Sequence, residues 1–158
     1  MTRHPHPRGF SLIELLLVVT IILIIAAIAI PSLMHSKMSA NESSAAESLR
    51  AINTACVSYD SDYFVGFPVV LTDLGPSTLP SSTAADLIDA VLVTGIKSGY
   101  TFSYTPGPAS GGMITTYSVT ANPIAPGVSG QRGFYTDQTL VIRMNMTGPA
   151  SSTDGPIQ

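Results

Sequence analysis

Three histidines, one cysteine and ten acidic residues are the side chains from which this 158-residue chain could build acid–base, nucleophilic or metal chemistry. Their placement argues against all three. His4 and His6 stand among prolines at the amino end, and His35 follows the longest apolar run. Beyond the first ten residues no Cys–His or His–Asp arrangement offers a nucleophile with its base, or a zinc ligand set. Cys56 falls on an apolar helical stripe and reads as a small buried hydrophobe rather than a reactive thiol. Because it is the sole cysteine, an internal disulfide is excluded. Gly107, Gly111 and Gly112 follow one strand pattern and precede another, so they make no phosphate-binding turn. Asp60 and Asp62 read as solvated acids near a helix end. Asn41-Glu42-Ser43 and Asn145-Met146-Thr147 fit the glycosylation acceptor pattern, a short match that chance supplies often. No catalytic residue, cofactor or metal ligand is expected.

Glu14 is the exception to this quiet inventory. It lies in RGFSLIELLLVVTIILIIAAIAIP, Arg8 to Pro31, as the one charge between Phe10 and Ile30, where Ser11 and Thr20 are the other polar residues. At ~1.5 Å rise per residue that run makes a helix roughly 31 Å long, one hydrocarbon thickness. A carboxylate in such a segment is costly unless something pairs with it. Arg3 and Arg8 precede the run, so the positive-inside tendency puts the short amino end in the cytoplasm and the rest outside. Lys37 and Arg50 on the far side weaken that asymmetry.

A plain membrane anchor accounts for the length and leaves Glu14 unexplained. A cleaved secretory signal would use the small-x-small site Ala27-Ile28-Ala29, yet its apolar region would exceed the usual 7–15 residues and contain an acid. A third reading places the cut between Gly9 and Phe10. Glycine there lets a peptidase approach the scissile backbone closely.

Arg8-Gly9-Phe10-Ser11-Leu12-Ile13-Glu14 resembles the processing and methylation motif of type IV prepilins and the related pseudopilins. The family pattern is a basic leader ending in Gly, then Phe, then Glu at the fifth mature position. The resemblance implies that residues 1–9 are a leader removed by a prepilin peptidase, which also N-methylates the new amine on Phe10. It further implies that residues 10–31 stay in the product as a membrane-spanning and later filament-core helix. A neighbour's Phe10 amine would then be the partner of Glu14. Opposite charges ~4 Å apart gain about 4 kcal/mol at an effective dielectric near 20, offsetting part of the desolvation cost. Such a pair sets register rather than supplying most of the binding energy. The plainer alternative is that Glu14, about 6 Å from the helix start, reaches interfacial water.

Pro31 removes a helical hydrogen bond and is expected to kink the helix. Periodicity nevertheless resumes. Met34, Met38, Ala45, Leu49, Ile52, Cys56, Tyr59 and Tyr63 recur mostly at three- and four-residue steps, with Glu42, Glu47, Arg50 and Asp60 read as off the stripe. One helix from about Ser11 to Tyr59 is therefore expected, apolar all round in its first half and amphipathic in its second. Glu47 and Arg50 are spaced to pair weakly.

The remainder is rich in Ser, Thr, Gly and Pro. After a loop through Gly66, Pro68, Gly75 and Pro80, Thr83-Ala84-Ala85-Asp86 fits a capping box opening a short helix to about Leu92. Tyr100, Phe102 and Tyr104 alternate with Thr101, Ser103 and Thr105 as a half-buried strand. Met113 to Ala121 alternates again, with Thr115, Tyr117, Val119 and Ala121 on one side. Gly133 to Thr136 and Leu140 to Met144 read as a hairpin turning at Asp137-Gln138. Residues 147–158 read as a flexible tail.

The fold expected is thus α+β and similar to that of the pilins: a long amino-terminal helix packed on a small antiparallel sheet at about 99–146. The head would occupy residues 32–146, its helix spanning 32–60. Two departures matter. Many pilins close a carboxy-terminal loop with a disulfide, and Cys56 has no partner. Secretion pseudopilins often bind calcium through clustered acids, whereas Asp137 and Asp154 are single and far apart.

The resemblance implies a structural, non-enzymatic subunit of a pilus-like filament, with a pseudopilin of type II secretion as the alternative. Implied partners are further copies of the chain, a prepilin peptidase and methylase, and an inner-membrane assembly platform with its ATPase. The subunit would sit in the inner membrane, head in the periplasm, before entering a surface pilus or periplasmic pseudopilus. With 11% charged residues, a formal charge of −3 and no basic run after residue 8, nothing provides an electrostatic footprint for nucleic acid.

Overall fold

The computed structural model describes residues 10–157. It divides into two compact units, one ending at Ser36 and one from Lys37 onward. Helix α1, Leu12–Tyr63, contributes to both, and Pro31 lies inside it without interrupting the helical assignment. In the first unit no residue from Phe10 to Ser36 is buried, as a run apolar on every side must be when it has no neighbour.

The second unit is a helix on a sheet. From Lys37 the apolar stripe of α1 becomes one-sided, and Ala45, Leu49, Ile52, Cys56 and Tyr59 are buried. Met34 is exposed and Met38 half-buried, so the working stripe begins later than the periodicity suggests. After α1 come a 3-10 turn at Leu71–Leu74, helix α2 at Ala90–Val93, and strands β1 (Ile96–Lys97), β2 (Tyr100–Pro106), β3 (Ala109–Ser110), β4 (Met113–Ile114), β5 (Tyr117–Pro123), β6 (Gly133–Asp137) and β7 (Arg143–Asn145). Five form an antiparallel sheet in the order β1-β2-β5-β6-β7, while β3 and β4 make a separate hairpin. The α+β, pilin-like architecture expected from the sequence is the one observed.

Register aligns the inward residues into rows. Phe102 faces Ala121, Ala121 faces Phe134, and Phe134 faces Met144; alongside, Tyr104 faces Val119 and Val119 faces Thr136. Alternation in each strand sends these side chains to one face. The same core cluster holds the helical stripe together with Tyr100, Phe102, Tyr117, Val119, Ala121, Phe134 and Ile142. Tyr117 is stacked on Tyr104 at 5.8 Å and meets Phe67 edge-on at 4.7 Å.

Four expectations need correction. The capping box at Thr83 does not form. Asp86 takes a positive φ of 56°, and the amides of Ala85, Asp86, Leu87 and Ile88 donate to Asp73, Gly75 and Leu74. Those donors are spent on the 3-10 turn, so helix α2 opens only at Ala90, where the Asp89 side chain accepts the Leu92 amide at 2.8 Å. The run from Met113 to Ala121 is two strands, because Thr115 and Thr116 are exposed and Ile114 is the buried residue of β4. The β6–β7 hairpin does not turn tightly at Asp137-Gln138. Its loop runs through 138–142, with Asp137 accepting the Thr139 and Leu140 amides. Finally, the tail is bound rather than loose: Ala150 is buried, Ile157 packs on the core, and Arg143 bridges to Pro156.

Candidate functional site

The candidate surface begins where α1 begins. Ser11 presents its carbonyl to the amides of Glu14 at 3.1 Å and Leu15 at 3.2 Å, which starts the helix. Phe10 precedes it and is 78% exposed. Glu14 lies in the first helical turn, where the positive end of the helix dipole favours an acid. Its side chain is exposed, and no ion pair among the described residues includes it. In the uncut chain the Phe10 nitrogen is a peptide amide and carries no charge. Gly9, with His4 and His6, lies outside the described residues.

Beyond Glu14 the surface is almost wholly apolar. Leu12, Ile13, Ile25, Ile28 and Leu33 are each more than 60% exposed. The Thr20 hydroxyl donates to the Leu17 carbonyl at 2.8 Å, so the one hydroxyl in mid-run is satisfied within the helix. The helix is long and apolar enough to cross a membrane, and its most apolar window has nothing buried. Each Leu or Ile removed from water contributes roughly 1.5–3 kcal/mol, so this rod strongly favours lipid or its own kind over water. Pro31 has no N–H, which leaves the Ala27 carbonyl without its usual donor inside an otherwise regular helix.

The head holds polar contacts that the sequence reading missed. Glu42, expected off the stripe, is 7% exposed. Its Oε1 accepts the amides of Gln131 (2.8 Å) and Arg132 (3.1 Å), and its Oε2 meets Nε and Nη2 of Arg132, each at 2.7 Å. Burial works to raise its pKa, but the two amides and the guanidinium together hold it below the ordinary value. The signal was available: Glu42 sits four residues after Met38 and three before Ala45, filling the one long gap in the stripe. Beside it, Asn41 Nδ2 donates to Ser129 O at 2.7 Å.

Asn53 is a second buried polar residue. It donates to Thr136 Oγ1 at 2.8 Å and accepts the Tyr117 hydroxyl at 2.9 Å. Cys56 is fully buried, and burial pushes its thiol up to about 12. Burial likewise raises the Tyr104 and Tyr117 hydroxyls. The Glu47–Arg50 pair forms at 3.1 Å between exposed side chains and contributes little. Among the described residues no three His, Cys, Asp or Glu side chains converge on a point.

A comparison with known families falls on the same amino-terminal region. A family described as the prokaryotic N-terminal methylation motif matches residues 5–30. Over 59 residues the chain is 46% identical to the type IV major pilin protein PilA of Myxococcus xanthus (strain DK1622). That stretch is 37% of this chain and 27% of the relative, so the match spans about a quarter of the relative's length. No solved structure matches. The chain therefore carries a prokaryotic N-terminal methylation motif at residues 5–30, at the head of a bare apolar helix and a pilin-like α+β unit, and it is similar to a type IV major pilin.

Proposed function

We propose that this chain is the precursor of a pilus-like filament subunit. A prepilin peptidase cuts after Gly9 and N-methylates Phe10. The product stays in the inner membrane through Phe10–Ile30, its head on the periplasmic side, until an assembly platform and its ATPase draw it into a homopolymer. Helix packing supplies the driving force, and Glu14 facing a neighbour's Phe10 amine sets the stagger. Pro31 is the position where the helix bends to suit its neighbours. The role is structural rather than catalytic.

The observation that carries this reading is a rod with nothing buried along its apolar length that itself lies within the methylation motif matched at residues 5–30. An ordinary anchor needs no acid at Glu14, and an export signal would be discarded. The likeness to a type IV major pilin supports a pilus over a secretion pseudopilus. Mass spectrometry of the mature chain tests the proposal: its amino terminus is expected to be N-methylated Phe10. A terminus near Pro31 would mark the segment as an export signal and overturn the reading.

A further inference from the structure

Strand β7 is an edge of the sheet: one side pairs with β6, and the other is covered by the chain's own tail. Exposed strand edges carry unpaired N–H and C=O groups and accept other strands readily. Here the edge is occupied. The Met144 amide donates to Gly155 O at 3.0 Å, and the Ile157 amide donates to Ile142 O at 2.9 Å. Asp154 closes the return turn. Its carboxylate accepts from Ser151 N (2.7 Å), Ser151 Oγ (3.0 Å) and Asn145 Nδ2 (3.1 Å), and its carbonyl accepts Arg143 Nη1 at 2.9 Å.

Two further contacts give this edge a shape. Ala150 is buried where the tail crosses Gly133, so closely that a Cβ there would collide with the Gly148 carbonyl oxygen and stand 3.1 Å from the Ala150 nitrogen. Ile157 inserts against the core beside Ile142. No covalent bond secures the segment, since the sole cysteine is Cys56 in the core.

We propose that residues 148–157 form a releasable strap on a strand-accepting edge, and that this edge takes the same segment from a second copy of the chain once its own is withdrawn. The strap leaves β7 after only Met146 and Thr147, so it opens without disturbing the rows of the sheet. Four hydrogen bonds tie it to the strand and the residue before it, two through the Arg143 and Asn145 side chains and two between backbones, with Ala150 and Ile157 as its apolar anchors. In an isolated chain the short tether keeps the local concentration of the strap high and the edge closed. Where copies crowd together the same bonds form between chains, the usual route to segment exchange. The strap also explains how the β7 edge avoids indiscriminate strand addition.

The test uses the full chain in detergent. Hydrogen exchange at the Met144 and Ile157 amides is expected to be protected in the native chain. It should rise by roughly tenfold or more in Asp154→Ala and Gly133→Ala, while Phe102 and Val119 stay protected. A fluorescent peptide of residues 148–158 should bind a chain ending at Thr147, and fail to bind that chain when it also carries Gly133→Ala. Should the shortened chain not fold, the peptide is offered to full-length Asp154→Ala, where binding is again expected. Native Met144 and Ile157 amides exchanging at free-peptide rates would overturn the strap. Release without peptide binding would overturn the accepting edge.

Discussion

The Glu42 carboxylate and the Arg132 guanidinium meet at 2.7 Å, and theirs is the one ion pair among the described residues with a buried member. It joins the first part of α1 within the head to the segment entering β6. Because Glu42 also accepts two backbone amides, the carboxylate closes the end of that loop as well as neutralising a charge. Glu42→Ala should destabilise the head by about 2–3 kcal/mol, since charge-assisted bonds are lost and their donors left unpaired. Glu42→Gln, which keeps one acceptor for the amides, should cost less. Denaturant midpoints in detergent, read by circular dichroism, check both.

The same carboxylate gives the head an acid-sensitive component. Its folded pKa lies below the unfolded value, so its stabilisation is complete above about pH 4.3, the unfolded value, and is lost as pH falls through the lower folded one. Asp89, beside Lys97, and Asp154, bonded to Ser151, shift in the same direction. Stability measured between pH 7 and pH 3 should therefore fall, and fall less steeply in Glu42→Gln. An equal slope in the two chains would remove Glu42 from the acid response.

Asn53 tests the polar contact inside the core. Asn53→Leu should cost about 1–3 kcal/mol, because the Tyr117 hydroxyl loses its acceptor where water does not reach. The chain has no tryptophan and six tyrosines, so intrinsic tyrosine emission reports directly on this unfolding.

Cys56 should be silent. With the thiol fully buried and its pKa pushed up to about 12, an alkylating reagent at pH 8 should leave the native head unmodified and label it fully in denaturant. Rapid native labelling would show that the helix–sheet core opens far more often than its packing implies.

Glu14→Ala separates the roles of the amino-terminal helix. Cleavage after Gly9 and membrane insertion should persist, since the apolar run is intact, whereas filaments should be abolished or sharply reduced. Electron microscopy of surface filaments with mass spectrometry of the processed chain gives both readouts. Normal filaments from this variant would show that Glu14 does not set register.

Much of the head was legible because period alone fixes it. The stripe from Ala45 to Tyr59 and the alternation of Tyr100, Phe102 and Tyr104 are local patterns, and the structure buries the stripe, Tyr100 and Phe102 and packs a half-buried Tyr104 against them. What escaped depends on partners distant in sequence. Glu42 looked solvated because nothing nearby could satisfy it, and Arg132 lies 90 residues on. Thr83 looked like a cap because the competing acceptors, Asp73, Leu74 and Gly75, belong to another turn. The tail looked loose from its Ser, Pro and Gly content, although Ala150 and Ile157 are the apolar residues that dock it. At the amino end the position of Glu14 was plain, and no ion pair among the described residues includes it.

The long reach of these contacts also bears on how the head is made. Asn53 waits 83 residues for Thr136, and Glu42 waits 89 for Gln131. A ribosome delivers the helix first and its cover last, so the stripe stays uncovered for most of synthesis and closes only when β6 emerges. High contact order of this kind makes folding late and slow, and it exposes the nascent head to aggregation until its last strands are made.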